Sequence, residues 1–365
     1  MTGTQRTIAL HRATVAIATL AFAGCAAGNF QPGSQYRPVT DKILGHRVAP
    51  DRAPVIQNFA TKNADLKSPF FLSFNRHGKL WFTSSSPHLG FRRSTGKFGV
   101  RNLPIKRSPA GPEKADQMAM GPDGQVWFTD YYDGTLGRVN KKGYIKQYRI
   151  FQGGYSSGLV TGPDGHLWVL LTGDYTSLNK IDTARKTPQV LHSYPLNGAY
   201  QEVITVGSDG NFWVGGSNRY QVMSRVTPDG VITDFPVQAL DGIWGVALGP
   251  DGNIWFTGAT NNAYNSYVSK ITPQGIVSEY RIKSQGDGIV AGPDGNMWFT
   301  EPYEGLIGKV TMSGVVSEYP IPGAIKHSSP NDQVVGIVAG PDGNLWVAEP
   351  FFNAIGEAVL ATPHP

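Results

Sequence analysis

The chain has 365 residues and a formal net charge of +5 at pH 7, which is modest for its length. Basic residues do not form runs interleaved with aromatics, so the composition excludes a typical nucleic-acid-binding surface. The 45 glycines and 26 prolines recur at regularly spaced turns, which excludes a low-complexity chain. Because there is a single cysteine, no disulfide can form within the chain, and stability must come from packing.

The first 24 residues have the features of a secretory signal peptide. Arg6 and Arg12 precede an apolar stretch, residues 13–24, that is too short to span a bilayer. Cys25 follows Phe-Ala-Gly, which resembles the lipid-attachment motif of bacterial lipoproteins, although Phe22 stands where that motif usually has Leu. Ala-Phe-Ala just before it would also suit ordinary signal cleavage. We therefore predict an exported lipoprotein of the bacterial cell envelope, periplasmic or at the outer membrane, with a secreted protein as the alternative.

A tether and a repeat region follow. Residues 25–53 are rich in Gly, Pro, Gln and Arg without periodicity, which is typical of a flexible linker. Beyond it, the phrase GPDGNMWFTE at 292–301 recurs in seven copies, the first of them degenerate. The tryptophans of these copies lie about 41 to 48 residues apart: Trp81, Trp127, Trp168, Trp213, Trp255, Trp298 and Trp346.

A period in the low forties with several short strands favours a four-stranded propeller blade. The sixth repeat shows four such runs: 288–292, 296–301, 306–311 and 315–321. Pro-Asp-Gly joins the first two with a tight turn, so neighbouring strands must be antiparallel. The sequence therefore predicts an all-β fold, a single seven-bladed β-propeller over residues 54–360, with a short tail at 361–365.

Ring closure accounts for a strand that the seventh repeat lacks. The chain has no fourth run after IGEAVL at 355–360, whereas IQNFA at 56–60 precedes the first repeat. Most fourth strands carry an aromatic residue near their end, and Phe59 stands in that register. We expect the N-terminal strand to complete the last blade, because an open ring would leave an unpaired strand edge.

The repeated phrases GPDGNxWFTE, IGKVT and GxVSEYPIP resemble those of the virginiamycin B lyase family, over roughly residues 54–360. The resemblance implies a seven-bladed propeller and a magnesium-dependent lyase that opens a cyclic depsipeptide at its ester by elimination, with a histidine as base. In that family the histidine lies in a Pro-His-(Gly/Ala)-Ile phrase entering the inner strand of a late blade. Asp287 and Val335 occupy the matching positions here, so the family's base is not carried over.

Strand parity predicts where a site would lie. The residue ahead of each inner strand and the residue that ends WFTE should share one face of the disc, at the mouth of the central channel. Six carboxylates fall at these positions: Asp116, Asp130, Glu202, Asp287, Glu301 and Glu349. Trp244, the one tryptophan outside the repeat register, would form an apolar wall beside them.

Crowded carboxylates repel one another, so they require a cation, shared protons or basic partners. One interpretation is a Mg²⁺ or Ca²⁺ site formed with Asp287 and Glu301. The alternative is that the carboxylates accept hydrogen bonds from backbone N–H groups and hold the blades together. For catalysis, the candidates are Glu301, Glu349 and the loop histidine His327, because a neutral imidazole suits proton abstraction next to a carbonyl.

Three functional hypotheses follow. The first is a propeller that binds a small cyclic, carbohydrate or peptide ligand, or an envelope protein, without turnover. The second is a metal-dependent lyase or lactone hydrolase with a rearranged site, and the third is an assembly platform. Whether the protein is an enzyme stays open at this stage. We expect a monomer that contacts the membrane through its lipid anchor and does not bind nucleic acid.

Overall fold

The computed structural model describes part of the chain: residues 53–104, 107–108, 111–112, 115–130, 134–151, 155–172, 176–196, 201–216, 222–237, 242–259, 265–324 and 335–360. The predicted signal peptide, Cys25, most of the tether, His327 and the tail lie outside these residues. Within the described residues, the regular structure consists of β-strands, and no helix there has the length and apolarity needed to cross a bilayer.

Seven four-stranded antiparallel sheets form the blades, as predicted. Blade 1 contains β2 (Pro69–Phe74), β3 (Leu80–Ser84), β4 (His88–Arg92) and β5 (Phe98–Asn102). A two-stranded ribbon follows, β6 (Arg107–Ser108) with β7 (Gly111–Pro112). Blade 2 contains β8 (Ala115–Met120), β9 (Val126–Asp130), β10 (Thr135–Val139) and β11 (Ile145–Arg149). Blade 3 contains β12 (Tyr155–Thr161), β13 (Leu167–Thr172), β14 (Ser177–Asp182) and β15 (Gln189–Pro195).

The later blades repeat the same order. Blade 4 contains β16 (Gln201–Val206), β17 (Phe212–Gly216), β18 (Val222–Val226) and β19 (Ile232–Pro236). Blade 5 contains β20 (Gly242–Leu248), β21 (Ile254–Ala259), β22 (Ser266–Ile271) and β23 (Val277–Ile282). Blade 6 contains β24 (Ile289–Ala291), β25 (Met297–Glu301), β26 (Leu306–Val310) and β27 (Val316–Pro320). Blade 7 contains β28 (Ile337–Ala339), β29 (Leu345–Glu349), β30 (Ala354–Val359) and β1 (Val55–Ala60).

The Pro-Asp-Gly turn does more than reverse the chain. In blade 6, the carboxylate of Asp294 accepts hydrogen bonds from the Asn296 backbone N–H at 3.2 Å and the Trp298 indole N–H at 3.0 Å. Gly295 supplies the positive φ of 75° that the turn requires. The hydrogen bond from the tryptophan indole N–H to the turn aspartate is present in blades 2 to 7. The repeated phrase therefore fixes both the turn and the orientation of the buried indole.

The hydrophobic core is divided among the gaps between blades. Each repeat tryptophan is at most 2% exposed. Trp298 of blade 6 packs with Leu345 and Val347 of blade 7, and Trp346 of blade 7 packs with Phe82 of blade 1. Seven such clusters follow one another around the ring. Every blade therefore depends on its neighbour for a buried face.

The predicted closure by the N-terminal strand is confirmed. β1 pairs with β30 in antiparallel register from Val55 opposite Val359 to Ala60 opposite Ala354. Phe59 stacks on Trp346 with ring centroids 6.3 Å apart. Fourth-strand aromatics do the same elsewhere, as in Tyr319 on Trp298 at 5.8 Å. The aromatic position that recurs in the fourth strands is thus the one that stacks on the repeat tryptophan.

This closure makes Phe59→Ala a direct test of ring stability. We expect the free energy of unfolding to fall by about 2 kcal/mol, because a half-buried ring and its stacking partner are both lost. Val55→Ala is the matched control in the same strand, since Val55 is 61% exposed. Urea unfolding of both variants measures the difference, and equal stability of the two would contradict the proposed closure.

Candidate functional site

The inner strands of the seven blades surround a central cavity of about 530 Å³. Four of the residues singled out in the sequence line it: Asp116, Glu202, Trp244 and Asp287. They come from blades 2, 4, 5 and 6, and their side chains are half-buried. The cavity thus brings carboxylates that are far apart in the chain together with one large aromatic ring.

β-Bulges direct several of these side chains into the cavity. The register between the first two strands shifts by one residue at Ser157, Glu202 and Trp244. In blade 2 a similar shift between Ala115 and Met118 contains Asp116. A bulged residue has no cross-strand partner, so its side chain need not follow the alternation of directions along the strand. In the sequence, a glycine directly after the bulged position in blades 3 and 5 signals this feature.

Asp287 also lies in a bulge, which is held by hydrogen bonds within blade 6 and to blade 5. Its backbone N–H donates to the Thr300 carbonyl at 2.9 Å, while the Thr300 N–H donates to the carbonyl of Gly288. Two residues therefore face one across the strands. The Thr257 hydroxyl of blade 5 donates to the Asp287 carbonyl at 2.5 Å. A Cβ on Gly245 would lie 2.1 Å from that carbonyl, so the two blades can meet only at a glycine.

The electrostatic environment of Asp287 favours its protonated form. Burial, and secondarily the charge of Glu202, raises the pKa of Asp287 to about 7. A carboxyl group with such a pKa exchanges a proton close to neutral pH. Between these two acids in the chain lies Trp244, whose indole nitrogen is buried and has no hydrogen-bond partner among the described residues. The cavity therefore offers an acidic pair and an apolar ring.

The three acids that end the second strands are placed differently. Asp130, Glu301 and Glu349 are fully buried and are not among the residues that line the cavity. Glu301 accepts hydrogen bonds from the Ser284 backbone N–H at 2.8 Å and the Ser284 hydroxyl at 3.2 Å. The structure therefore does not bring these three acids into the cavity with Asp116, Glu202 and Asp287, because the end of the second strand faces the connection between blades.

Blade 1 shows that the last residue of the second strand has a structural role. Ser84, which ends the second strand of blade 1, accepts a hydrogen bond from the Lys67 backbone N–H at 3.0 Å. Both Ser84 and Glu301 thus bind the backbone 17 residues earlier, in the segment that leads into their own blade. This is the blade-joining alternative considered for the carboxylates. The counterpart segment for Glu349 lies outside the described residues.

Burial also changes the acidity of these two glutamates. It raises the pKa of Glu301 to about 8, with a further contribution from the neighbouring Glu318. Burial alone raises the pKa of Glu349 to about 8. The catalytic roles predicted for them stay untested, but both side chains are held inside the blades rather than in the cavity.

Comparisons with known proteins now define the family. The sequence profile of the virginiamycin B lyase family matches residues 175–362. This chain belongs to the virginiamycin B lyase family. Sequence comparison found no match among curated proteins.

Solved structures of streptogramin lyases support the assignment. A catalytically inactive histidine-to-alanine variant of virginiamycin B lyase from Staphylococcus aureus with quinupristin is 27% identical, with a TM-score of 0.72, and the match covers 84% of this chain and 99% of that one. A streptogramin B lyase structure is 26% identical, with a TM-score of 0.70 over 85% and 98% of the two chains. The extracellular domain of BT4673 from B. thetaiotaomicron, 14% identical with a TM-score of 0.65 over 86% and 44%, shares the fold.

The metal ion that the family resemblance implies was tested against the residues present. Among the described residues, no three His, Cys, Asp or Glu side chains come together as a ligand set. Of the predicted pair, Asp287 lines the cavity whereas Glu301 is bound to Ser284. The described residues therefore do not fit a Mg²⁺ or Ca²⁺ site. Isothermal titration with either ion tests the prediction.

Histidines do not contribute to the described part of the channel. No histidine is among the described residues that line the cavity. His88 is the first residue of β4 in blade 1, and its Nδ1 lies 3.2 Å from the Ser86 hydroxyl. His327 falls outside the described residues, so its predicted catalytic role stays a prediction. The described wall of the cavity offers carboxyl groups for proton transfer.

Glu349→Gln tests the buried-carboxyl assignment through pH dependence. The folded protein keeps a proton on Glu349 up to about pH 8, whereas the unfolded chain releases it at lower pH. Stability therefore falls as pH rises through this window. One such group lowers the free energy of unfolding by about 2.5 kcal/mol between pH 5.5 and 7.5. We expect Glu349→Gln to lose that part of the pH dependence in urea unfolding.

The matched control is Asp229→Asn, which removes one carboxylate from an exposed turn. We expect it to keep the wild-type pH dependence of stability. If Glu349→Gln and wild type show parallel stability curves from pH 5.5 to 8.5, Glu349 is charged in the fold and the assignment fails.

Proposed function

We propose that the protein binds a small cyclic peptide or depsipeptide in the central cavity and does not turn it over. The main support is the central cavity of about 530 Å³. Glu202 of blade 4, Trp244 of blade 5 and Asp287 of blade 6 line it together. That volume lies within the range of small-molecule sites. An acidic wall favours a ligand with N–H donors or a basic group, while the indole favours an apolar or aromatic ring.

The family supports this ligand class. The virginiamycin B lyase variant from Staphylococcus aureus is described with quinupristin and as catalytically inactive after a histidine was replaced. In that relative, holding the ligand does not require turnover. Asp287 and Val335 stand at the positions that match the family's base histidine, so we expect the same separation of binding from catalysis here.

A second candidate is a lyase with a rearranged site, in which Asp287 acts as the base. The specific observation is its pKa of about 7, which is close to the value that favours general-base catalysis at neutral pH. The Asp287 carboxylate would take the proton from the carbon next to the ring carbonyl. The electron pair would form a carbon–carbon double bond as the ester C–O bond breaks, leaving a carboxylate and an open chain.

Quinupristin separates the two candidates. We expect isothermal titration to show binding, with affinity at least about tenfold weaker in Trp244→Ala, because the ring that contacts the ligand is lost. Tyr144→Ala is the control, since this 66% exposed tyrosine lies in a turn outside the cavity. Absence of binding heat at millimolar quinupristin would contradict the proposal.

Turnover needs a separate readout, because elimination opens the ring without changing its mass. Chromatography with fragment-ion mass spectrometry distinguishes cyclic from linear quinupristin, and hydrolysis would add one water. Unchanged cyclic quinupristin supports binding without turnover. Ring opening that is lost in Asp287→Asn establishes the lyase candidate instead.

We also propose that the protein is exported and lipid-anchored through Cys25. The support is the sequence alone: the basic and apolar leader, the Phe-Ala-Gly that precedes the cysteine and the linker-like residues that follow. A lipid anchor would hold the propeller at the envelope surface, where it meets ligands arriving from outside the cell.

Cys25→Ser tests the anchor. In a bacterial host fed a palmitate analogue, we expect label on the wild-type protein, none on Cys25→Ser, and release of the variant from the membrane fraction. Unlabelled wild-type protein, or wild-type protein found free in the medium, would contradict the proposal.

A further inference from the structure

A second cavity, of about 660 Å³, lies between blades 7 and 1 near their Pro-Asp-Gly-type turns, and it shares no lining residue with the central cavity. Four basic side chains line it: Lys79, Arg92, Arg93 and Arg101. Only one carboxylate is among its lining residues, Asp342, and His77 stands at its edge. The aromatic rings of Phe74, Phe91 and Trp346 complete its wall. We name this cavity the blade 7–1 pocket.

Blade 1 departs from the repeat at three positions in this region, which contributes to the excess positive charge. In blade 3, Asp164 accepts the Trp168 indole N–H at 3.1 Å and pairs with Lys180 of the third strand at 2.8 Å. Blades 2 and 5 contain the same kind of ion pair, Arg138 with Asp123 and Lys270 with Asp251. Each of these cations has a carboxylate partner from its own turn.

In blade 1 both partners are replaced. His77 stands four residues before Trp81, where blades 2 to 7 have the aspartate, and Phe91 stands in the third strand where blade 2 has Arg138. Lys79, two residues before Trp81, corresponds to Gln125 of blade 2. The turn has therefore lost a carboxylate and gained a cation.

The cations of the pocket rest on aromatic rings. Lys79 Nζ lies 3.8 Å from the centroid of the Phe91 ring, and the guanidinium of Arg92 lies 4.7 Å from that of Trp346. The Arg92 Nε is buried and has no hydrogen-bond partner among the described residues. A buried guanidinium nitrogen without an acceptor is costly, and an oxyanion would supply that acceptor.

The positive charges of the pocket are not balanced by carboxylates that line it. Burial lowers the pKa of Lys79, and the nearby charges of Arg101 and Arg93 lower it further. Arg101 donates from Nε to the Gly143 carbonyl at 3.1 Å, which holds it in place without cancelling its charge. Asp342 accepts the Trp346 indole N–H at 3.1 Å, as its counterparts do in the other blades. One carboxylate therefore faces four cations.

We propose that the blade 7–1 pocket binds a small-molecule phosphate or sulfate monoester that carries a flat apolar group. Its volume suits a small molecule. Arginine forks match tetrahedral oxyanions, and the ammonium of Lys79 adds a point charge. Phe74, the half-buried ring of the wall, offers an apolar contact for the flat group. Phosphate and sulfate esters share this chemistry, so the experiment compares both.

The probes are 1-naphthyl phosphate and 1-naphthyl sulfate, with 1-naphthol as the uncharged control, titrated calorimetrically into the full-length protein at low salt. We expect at least one ester to bind, 1-naphthol to bind at least about tenfold more weakly, and ester affinity to fall with added salt. Failure of both esters to bind, or equal binding of 1-naphthol, would overturn the proposal.

Two variants locate the site. Lys79→Gln with Arg93→Gln should weaken ester binding at least about tenfold, and it is compatible with the fold because blade 2 has Gln125 at the Lys79 position and Arg93 is exposed. His77→Asp restores the repeat's aspartate beside Trp81 and Lys79. We expect it to raise Tm and weaken ester binding, so that the loss cannot reflect unfolding.

Arg185→Gln with Lys186→Gln is the matched control, because it removes two positive charges from the turn between the third and fourth strands of blade 3. Ester affinity should stay at the wild-type value in this control and fall in both blade 1 variants. Equal affinity in all of these proteins would show that the esters bind elsewhere and would overturn the proposal. Quinupristin binding serves as an independent readout, because the central cavity is unchanged in every variant.

Discussion

The six residue pairs between β1 and β30 determine the rest of the architecture. Seven twisted sheets can enclose a channel only if the last is joined to the first, and here the chain's two ends form one blade. Because each blade buries its tryptophan against the next, this pairing also completes the seventh interblade core, in which Trp346 packs with Phe82. Residues that lie on separate sheets become neighbours around one axis as a result.

The repeated phrase divides its work between architecture and function. Its aspartate orients the tryptophan, and its threonine binds the carbonyl of the next blade's bulge, as Thr257 does with Asp287. Its last residue serves the connection between blades, as Ser84 and Glu301 show. The bulged residues of the inner strands have no repeated structural duty, so they can vary, and it is there that Glu202, Trp244 and Asp287 face the cavity. The same logic applies at blade 1, where replacing the turn aspartate by His77 leaves a cationic pocket in place of an ion pair.

Much of the fold could be predicted from sequence because its signals are local and repeated. The tryptophan interval gave the number of blades, and the aromatic register of Phe59 gave the closing strand, since both reflect packing that every blade must share. Strand parity placed Asp116, Glu202 and Asp287 at the start of inner strands, where the cavity lies. It did not predict that Asp130, Glu301 and Glu349 are buried away from the cavity, because sharing one face of the disc does not determine which way a side chain points. That direction depends on bulges and on the path of the preceding connection, and only the short glycine signal after Ser157 and Trp244 indicates it.

Ring closure brings acids from different blades into one cavity, where the charge of one affects the pKa of another. The most direct test is a carbon-13 NMR titration of the Asp287 carboxyl, assigned with Asp287→Asn, in wild type and in Glu202→Gln. We expect a pKa of about 7 for Asp287 in the wild type, and a lower pKa once the charge of Glu202 is removed. An ordinary aspartate pKa of about 3.9 in both proteins would contradict it.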